Sequence, residues 1–264
     1  MGWVETNHAG ISLYQCQELN DDQVVQGFST RDSGNMALHI EDDPNKVLDG
    51  RKLWLQALGL GLEQLVAGVQ VHGTKVALIE ETTAGAGAFS LIGAIPETDA
   101  LITKKPGVIL AVFTADCTSI FIYDPVTPAI GLVHAGWRGT INGIASIAVK
   151  QMADEFGTIP GDCLVAMGPS ICGACFGVDR QLAERFAKVH SQVVIEDEFG
   201  SKIDLQTFNK LDLIGIGVSP DHIYETQLCT NCQPDRFFSY RAEHGKTGRM
   251  MGIIALKRKG HGLS

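Results

Sequence analysis

The sequence predicts a mixed α/β fold with a β-rich centre and helices outside, and three observations carry that expectation. Between residues 99 and 134, four apolar, β-prone runs (99–103, 108–114, 119–123 and 129–134) are separated by turn signals such as Lys105-Pro106-Gly107 and Asp124-Pro125. After Gly139 the apolar period changes. Ile141, Ile144, Ala145, Ala148, Met152 and Phe156 recur at three and four residues, the spacing of an amphipathic helix. The chain also holds 30 glycines, many directly after apolar runs, as strand ends and tight turns require.

The remaining elements follow the same logic. Residues 23–29 read as a strand leading to Thr30-Arg31. Asp43-Pro44 is a cap followed by proline at the first helical position, and Val47, Leu48, Leu55 and Leu58 give that helix an apolar face ending before Gly59. Strands are expected at 65–71 and 75–80 on either side of His72-Gly73-Thr74, at 162–167, 222–226 and 249–256, with helices marked by Val178, Leu182, Phe186 and Val189 and by Leu205, Phe208 and Leu211.

Whole-chain properties restrict the function. A formal net charge of -9 argues against a nucleic-acid partner, because a phosphate backbone needs a basic face. No apolar run reaches the roughly 18 residues of a membrane span. Met1-Gly2-Trp3-Val4-Glu5 lacks the charged and apolar regions of a signal peptide, and 7 cysteines, an odd number, then read as reduced thiols in a cytoplasmic protein.

Three residues stand out chemically. His72, Cys117 and His134 each follow an apolar run and precede or adjoin a glycine or turn: Val69-Gln70-Val71-His72-Gly73, Phe113-Thr114-Ala115-Asp116-Cys117 and Leu132-Val133-His134-Ala135-Gly136. Two imidazoles and a thiolate form a borderline-soft set that suits zinc, and three protein ligands leave a fourth position for water or substrate. Singly, each is an ordinary surface histidine or small buried thiol. Convergence at strand ends is what would make them a site. Asp116 is the candidate to orient a ligand imidazole. Two CxxC pairs, Cys172/Cys175 and Cys229/Cys232, could together make a four-thiolate structural zinc, but their separation far exceeds zinc-ribbon spacing and buried thiols are the preferred reading; Cys16 and Cys163 have no partner pattern.

The runs Gln70-Val-His-Gly-Thr74, Thr114-Ala-Asp-Cys117 and His134-Ala-Gly-Trp-Arg-Gly139 resemble the YfiH-like laccase-domain family, also labelled multicopper polyphenol oxidoreductases. Gly27-Phe-Ser-Thr-Arg31, Gly168-Pro-Ser-Ile171, Phe238-Ser-Tyr-Arg241 and Gly248-Arg249 extend the match, in order, over nearly the whole chain. The resemblance implies one four-layer α/β/β/α domain with mixed sheets over residues 1–264, a zinc held by His72, Cys117 and His134, and purine nucleoside phosphorylase activity on adenosine, inosine, guanosine and methylthioadenosine, with adenosine deaminase activity through metal-activated water. The segment Asp32–His39 departs from the glycine-richer pattern of relatives. Purine nucleosides and phosphate are the expected partners, and a monomer or weak homodimer the expected state.

A laccase mechanism conflicts with the residue count. A multicopper relay draws on roughly ten histidines, many as His-x-His pairs. This chain has 8, none so paired, with His8, His190, His222, His244 and His261 in polar or helical surroundings. Copper remains a second ion that the zinc ligands accept. Phosphorolysis needs an anion site, for which Arg31, Arg138 and Arg241 are candidates through their bidentate forks. Arg138 also lies beside a helix start, and Trp137 next to it reads first as a core aromatic. Catalytic roles fall to Asp116 as proton carrier and Arg138. Two other classes stay open: a cysteine hydrolase using Cys117 as nucleophile and His134 as base, and a zinc-carrying interaction protein without catalysis.

Overall fold

A strand that is apolar on both faces must be covered on both. The segment 109–114 is such a strand, and its alternation sets the architecture. In the computed structural model, which describes residues 2–258, the elements in chain order are β1 (Trp3–His8), β2 (Ile11–Cys16), β3 (Val24–Ser29), α1 (Pro44–Ala57), β4 (Leu65–Ala67), β5 (Val76–Leu78), β6 (Ala100–Thr103), β7 (Ile109–Thr114), β8 (Thr118–Asp124), β9 (Ala129–Ala135), α2 (Trp137–Ile141), α3 (Ile144–Phe156), β10 (Leu164–Met167), β11 (Gly177–Val178), α4 (Arg180–Ala187), β12 (Val194–Asp197), β13 (Gly200–Ile203), α5 (Leu205–Gly215), β14 (Ile223–Tyr224) and β15 (Met250–Leu256).

Two six-stranded sheets form the centre, one ordered β1-β2-β3-β15-β7-β4 and the other β14-β10-β8-β9-β6-β5. Leu110 and Val112 of β7 meet Phe121 and Tyr123 of β8 and Leu132 of β9, so the sheets stack face to face. Ile109, Ala111 and Phe113 point the other way, onto Trp54 and Leu55 of α1. Ile120, Ile122 and Val133 of the second sheet pack under Ala145, Ala148 and Met152 of α3 and Leu213 of α5. The layers are therefore α/β/β/α, as expected, and both sheets mix parallel and antiparallel pairs. Among the described residues no helix is long and apolar enough to cross a membrane.

Several local expectations change. The helix after Gly139 is split into α2 and α3, because Gly143 takes the left-handed conformation (φ +73°) and its N–H closes on the Thr140 carbonyl at 2.9 Å. The strand from residue 65 stops at Ala67 rather than 71. Beyond it the Gln70 side chain replaces the strand edge, its Nε2 donating to the Phe113 carbonyl and its Oε1 accepting from the Phe113 N–H, both at 2.8 Å. The N-terminal hairpin β1–β2 and the three-stranded sheet β11-β13-β12 have no clear sequence pattern, since their strands are short, half-exposed or charged. His261 lies outside the described residues.

α1 is anchored as its sequence suggests. Asp43 accepts from the Asn45 N–H at 3.0 Å ahead of Pro44. Its buried Arg51 has no carboxylate partner among the described ion pairs. Instead it donates to the carbonyls of Met36, Gly87 and Ala88 and stacks over Phe113 at 4.5 Å. Burial pulls its pKa down to about 10. Arg51→Met should remove about 3 kcal/mol or more of stability, because three buried carbonyls lose their donor; an unchanged urea midpoint would show that water replaces it without cost.

Candidate functional site

Both sheets contribute to one end of the sandwich, where the chain passes from one to the other. His72 lies on the crossing between β4 and β5, and Cys117 on the crossing between β7 and β8. His134 sits near the end of β9, paired with Ser119 of β8. The ligand atoms of these three side chains all lie within 4.8 Å of one another. The two imidazoles meet edge to face with ring centroids 4.8 Å apart. The convergence anticipated from strand-end placement is present.

Asp99 builds the site, although no local sequence pattern marks it. Its Oδ1 accepts from the His72 N–H at 2.9 Å, and its Oδ2 from the N–H groups of Val71 at 3.2 Å and Gly73 at 2.8 Å. One buried carboxylate thus organises the whole His72 loop, holding His72 at a φ of +61° that a histidine seldom adopts. The same Oδ1 lies 2.8 Å from His134 Nδ1. That contact occupies Nδ1 and leaves Nε2 as the free ring nitrogen, which is how a carboxylate commonly fixes a metal-binding imidazole. Burial opposes ionisation of Asp99, but His134 and the loop N–H groups outweigh it and keep the carboxyl below its ordinary value.

The orienting role expected of Asp116 therefore belongs to Asp99. Asp116 turns away from the imidazoles: its Oδ1 accepts from Thr230 Oγ1 at 2.6 Å and its Oδ2 from the Arg241 N–H at 2.7 Å. With φ at +82°, it shapes the bend that presents Cys117 and ties that bend to the loop after β14.

Cys117 and His134 are electrostatically coupled. Burial opposes the thiolate, yet the charge and hydrogen bonds of His134 and His72 bring the Cys117 thiol down to about 6. Burial also opposes the imidazolium, but the Cys117 thiolate and Asp99 raise His134 to about 9. The attraction between the two groups thus favours the thiolate of Cys117, the form that binds metals and attacks electrophiles.

Gly136 closes the back of the site. A Cβ there would stand 2.8 Å from His72 Cδ2 and 3.1 Å from Cys117 Sγ. Its backbone is ordinary (φ -76°), so the constraint is space alone. Gly136→Ala should push His72 and Cys117 apart and lower metal affinity by roughly tenfold or more, with little loss of stability; metal titration of the two proteins side by side reads this directly.

The arginines separate into two groups. Arg31 is paired with Glu243 at 2.6 Å, donates to the Phe237 carbonyl and lies 4.4 Å over Phe238. Arg241 donates to the carbonyls of Cys175 and Gly177. Both guanidinium groups are engaged in holding loops. Arg138 is exposed and stacks on Trp137 at 4.4 Å, while Trp137 itself packs against the α4–α5 apolar cluster, as a core aromatic does. Arg249, immediately before β15, is half-buried, and the charges of Cys117 and Asp116 act on it. His39 is likewise within the electrostatic reach of Arg249, His134 and His72.

Among the described residues, two groups of side chains gather at ligand distance: this triad, and the four cysteines Cys172, Cys175, Cys229 and Cys232. The second group corrects the reading of those cysteines as separate buried thiols. Two imidazoles and one thiolate, with Nδ1 of His134 held by Asp99 so that Nε2 faces Cys117, fit one zinc, which displaces the proton the pair otherwise shares. They do not fit a multicopper relay, whose imidazole sets exceed the 8 histidines of the chain.

Comparison with known proteins places this fold in a family. A family model described as multi-copper polyphenol oxidoreductase laccase matches residues 23–257. The purine nucleoside phosphorylase YlmD of Bacillus subtilis is 32% identical, over 97% of this chain and 92% of its own length. An adenosine deaminase from an unknown prokaryotic organism is 34% identical over 85% of this chain and 87% of its own. The crystal structure of YlmD from Geobacillus stearothermophilus superposes with a TM-score of 0.91 at 32% identity, covering 97% of this chain and 100% of that one. The chain belongs to the laccase-domain family typified by YfiH and YlmD.

Proposed function

We propose that this protein is a zinc-dependent purine nucleoside phosphorylase acting on adenosine, inosine, guanosine and methylthioadenosine, and that the same site deaminates adenosine. The observation that carries the reading is the meeting of His72, Cys117 and His134 at one end of the sandwich, in a chain similar over nearly its full length to a protein named for that activity. His72, Cys117 and His134 would hold the ion. When bound, zinc supplies Lewis acidity to an oxygen of water or substrate.

The chain's own groups account for the rest. Asp99 keeps Nδ1 of His134 occupied and the His72 loop fixed, so the ligand geometry is set before substrate arrives. Phosphorolysis places phosphate at C1′ of the ribose as the purine leaves, and that needs cationic donors. Arg31 and Arg241 hold other loops, so the anion falls first to Arg138; Arg249 spends Nη1 on the Thr247 and Gly248 carbonyls and offers its other nitrogens beside Cys117. Asp116 holds the Cys117 bend and acts on the reaction through that position.

A second reading has one observation in its favour. Cys117, His134 and Asp99 are ordered as nucleophile, base and orienting carboxylate, with a thiol whose pKa the imidazoles pull down. His72 weighs against it, since a second imidazole on the thiolate has no part in that chemistry. Product analysis tests the proposal. Adenosine with phosphate should give adenine and ribose 1-phosphate, and without phosphate only inosine. Release of free ribose, or no turnover of any of the four nucleosides, would refute it.

A further inference from the structure

Four cysteines outside the candidate active site converge although their two pairs are far apart in sequence. Ligand atoms of Cys172, Cys175, Cys229 and Cys232 all lie within 4.8 Å of one another, and Cys175 Sγ is 3.4 Å from Cys232 Sγ. Sulfurs around one tetrahedral zinc, at about 2.3 Å each, stand roughly 3.8 Å apart. A disulfide needs about 2.05 Å. The spread matches a shared ion better than bonded pairs.

The local backbone is built for ligation. Each CxxC pair forms a tight turn: the N–H groups of Cys175 and Phe176 both donate to the Cys172 carbonyl at 3.0 Å, and the Gln233 N–H to the Cys229 carbonyl at 3.1 Å. The turns are locked side by side by the Ser170–Cys229 bridge and by the Thr230 N–H on the Ser170 carbonyl. The Cys172 N–H points at Cys229 Sγ at 3.3 Å, a donor that stabilises a thiolate. The guanidinium of Arg241, on the carbonyls of Cys175 and Gly177, adds a positive charge beside the group.

Packing does not explain the cluster. Cys16 and Cys163, the other two cysteines outside the triad, are fully buried members of the apolar cores. The four clustered cysteines join none of those cores, and Cys232 is exposed. We propose that Cys172, Cys175, Cys229 and Cys232 form a closed tetrathiolate site for a structural zinc ion, distinct from the His72/Cys117/His134 triad. Four soft ligands leave no open position, so this ion is structural.

The site has a definite task in the fold. It joins the loop after β10 to the loop after β14, and both loops hydrogen-bond to Asp116 on the β7–β8 crossing. The Ile171 N–H donates to the Asp116 carbonyl, while Thr230 and Arg241 hold its carboxylate. The tetrathiolate therefore braces the wall that positions Cys117. The proposal stands on the cysteine geometry and does not depend on which reaction the triad performs.

The test uses the Cys117→Ala protein, which retains the four cysteines and has lost the thiolate of the triad. Loaded with cobalt(II), it should show thiolate-to-metal charge-transfer bands and intense visible bands of a tetrahedral site. Zinc analysis should give one ion per chain. Adding Cys175→Ser and Cys232→Ser should abolish both signals. A second measurement leaves the four clustered cysteines intact. Zinc released from the Cys117→Ala protein by a mercurial and captured by a chromophoric chelator should appear in step with the loss of four titratable thiols. Absence of the cobalt bands in reduced Cys117→Ala, or four cysteines that resist alkylation until reduced, would overturn the proposal.

Discussion

Replacing Asp99 by asparagine should cost about 3 kcal/mol or more of stability and lower metal affinity by roughly 10–100-fold. The substitution is nearly isosteric, so the loss isolates chemistry from volume. Oδ1 faces the N–H of His72, and Oδ2 faces those of Val71 and Gly73. Whichever position the new amide NH2 takes, it confronts backbone donors with another donor. The His72 loop then loses the charge that holds its φ at +61°, and His134 loses its fixed orientation. A urea midpoint and a zinc titration of Asp99→Asn check both effects. Unchanged values would mean that the loop is fixed by Gln70 and its neighbours instead.

Cys117 gives the second large effect and separates the two chemical readings. Cys117→Ala removes the one sulfur ligand of the triad and should reduce turnover by about a thousandfold, because both a metal site and a cysteine nucleophile require it. Cys117→Asp divides them. A carboxylate is a zinc ligand, so the metal reading predicts retained zinc with a measurable fraction of nucleoside turnover. A thiol nucleophile has no such substitute, so the hydrolase reading predicts loss as complete as in Cys117→Ala.

Much of the architecture was legible because burial writes itself into alternation. Strands β7 and β8 face two different cores on alternate residues, and an uninterrupted apolar run is the trace of that arrangement. The edge hairpin β1–β2 left no such trace, since it is half-exposed and its apolar residues are interleaved with polar ones. The three ligands were legible as residue types at strand ends. Their supporting carboxylate was not. Asp99 stands between Thr98 and Ala100, 27 residues from His72 and 35 from His134, and nothing local marks it. Asp116 was the natural choice on adjacency to Cys117, but its bend turns the carboxylate toward Thr230 and Arg241.

The arginines and the paired cysteines carry a related lesson. Arg31 and Arg241 lie in family motifs, yet their contacts are with Glu243 and with loop carbonyls. A motif marks a position that matters without saying whether it touches substrate. The CxxC pairs looked too distant for one ion. A parallel bridge between Ser170 and Cys229 removes that distance, and no spacing rule could have supplied it.

The most direct test of a metal-dependent nucleoside phosphorylase at this triad is ribose 1-phosphate formation by wild-type and His72→Ala proteins, each assayed with adenosine and phosphate, with zinc or with chelator. His72 is the ligand remote in sequence from the other two, and its exposed ring can be removed without opening the core. The expected result is phosphate-dependent, chelator-sensitive product from the wild type and a loss of about a hundredfold or more in His72→Ala, at an unchanged unfolding midpoint. Full activity in His72→Ala, or wild-type turnover indifferent to metal removal, would contradict the assignment of the reaction to this site.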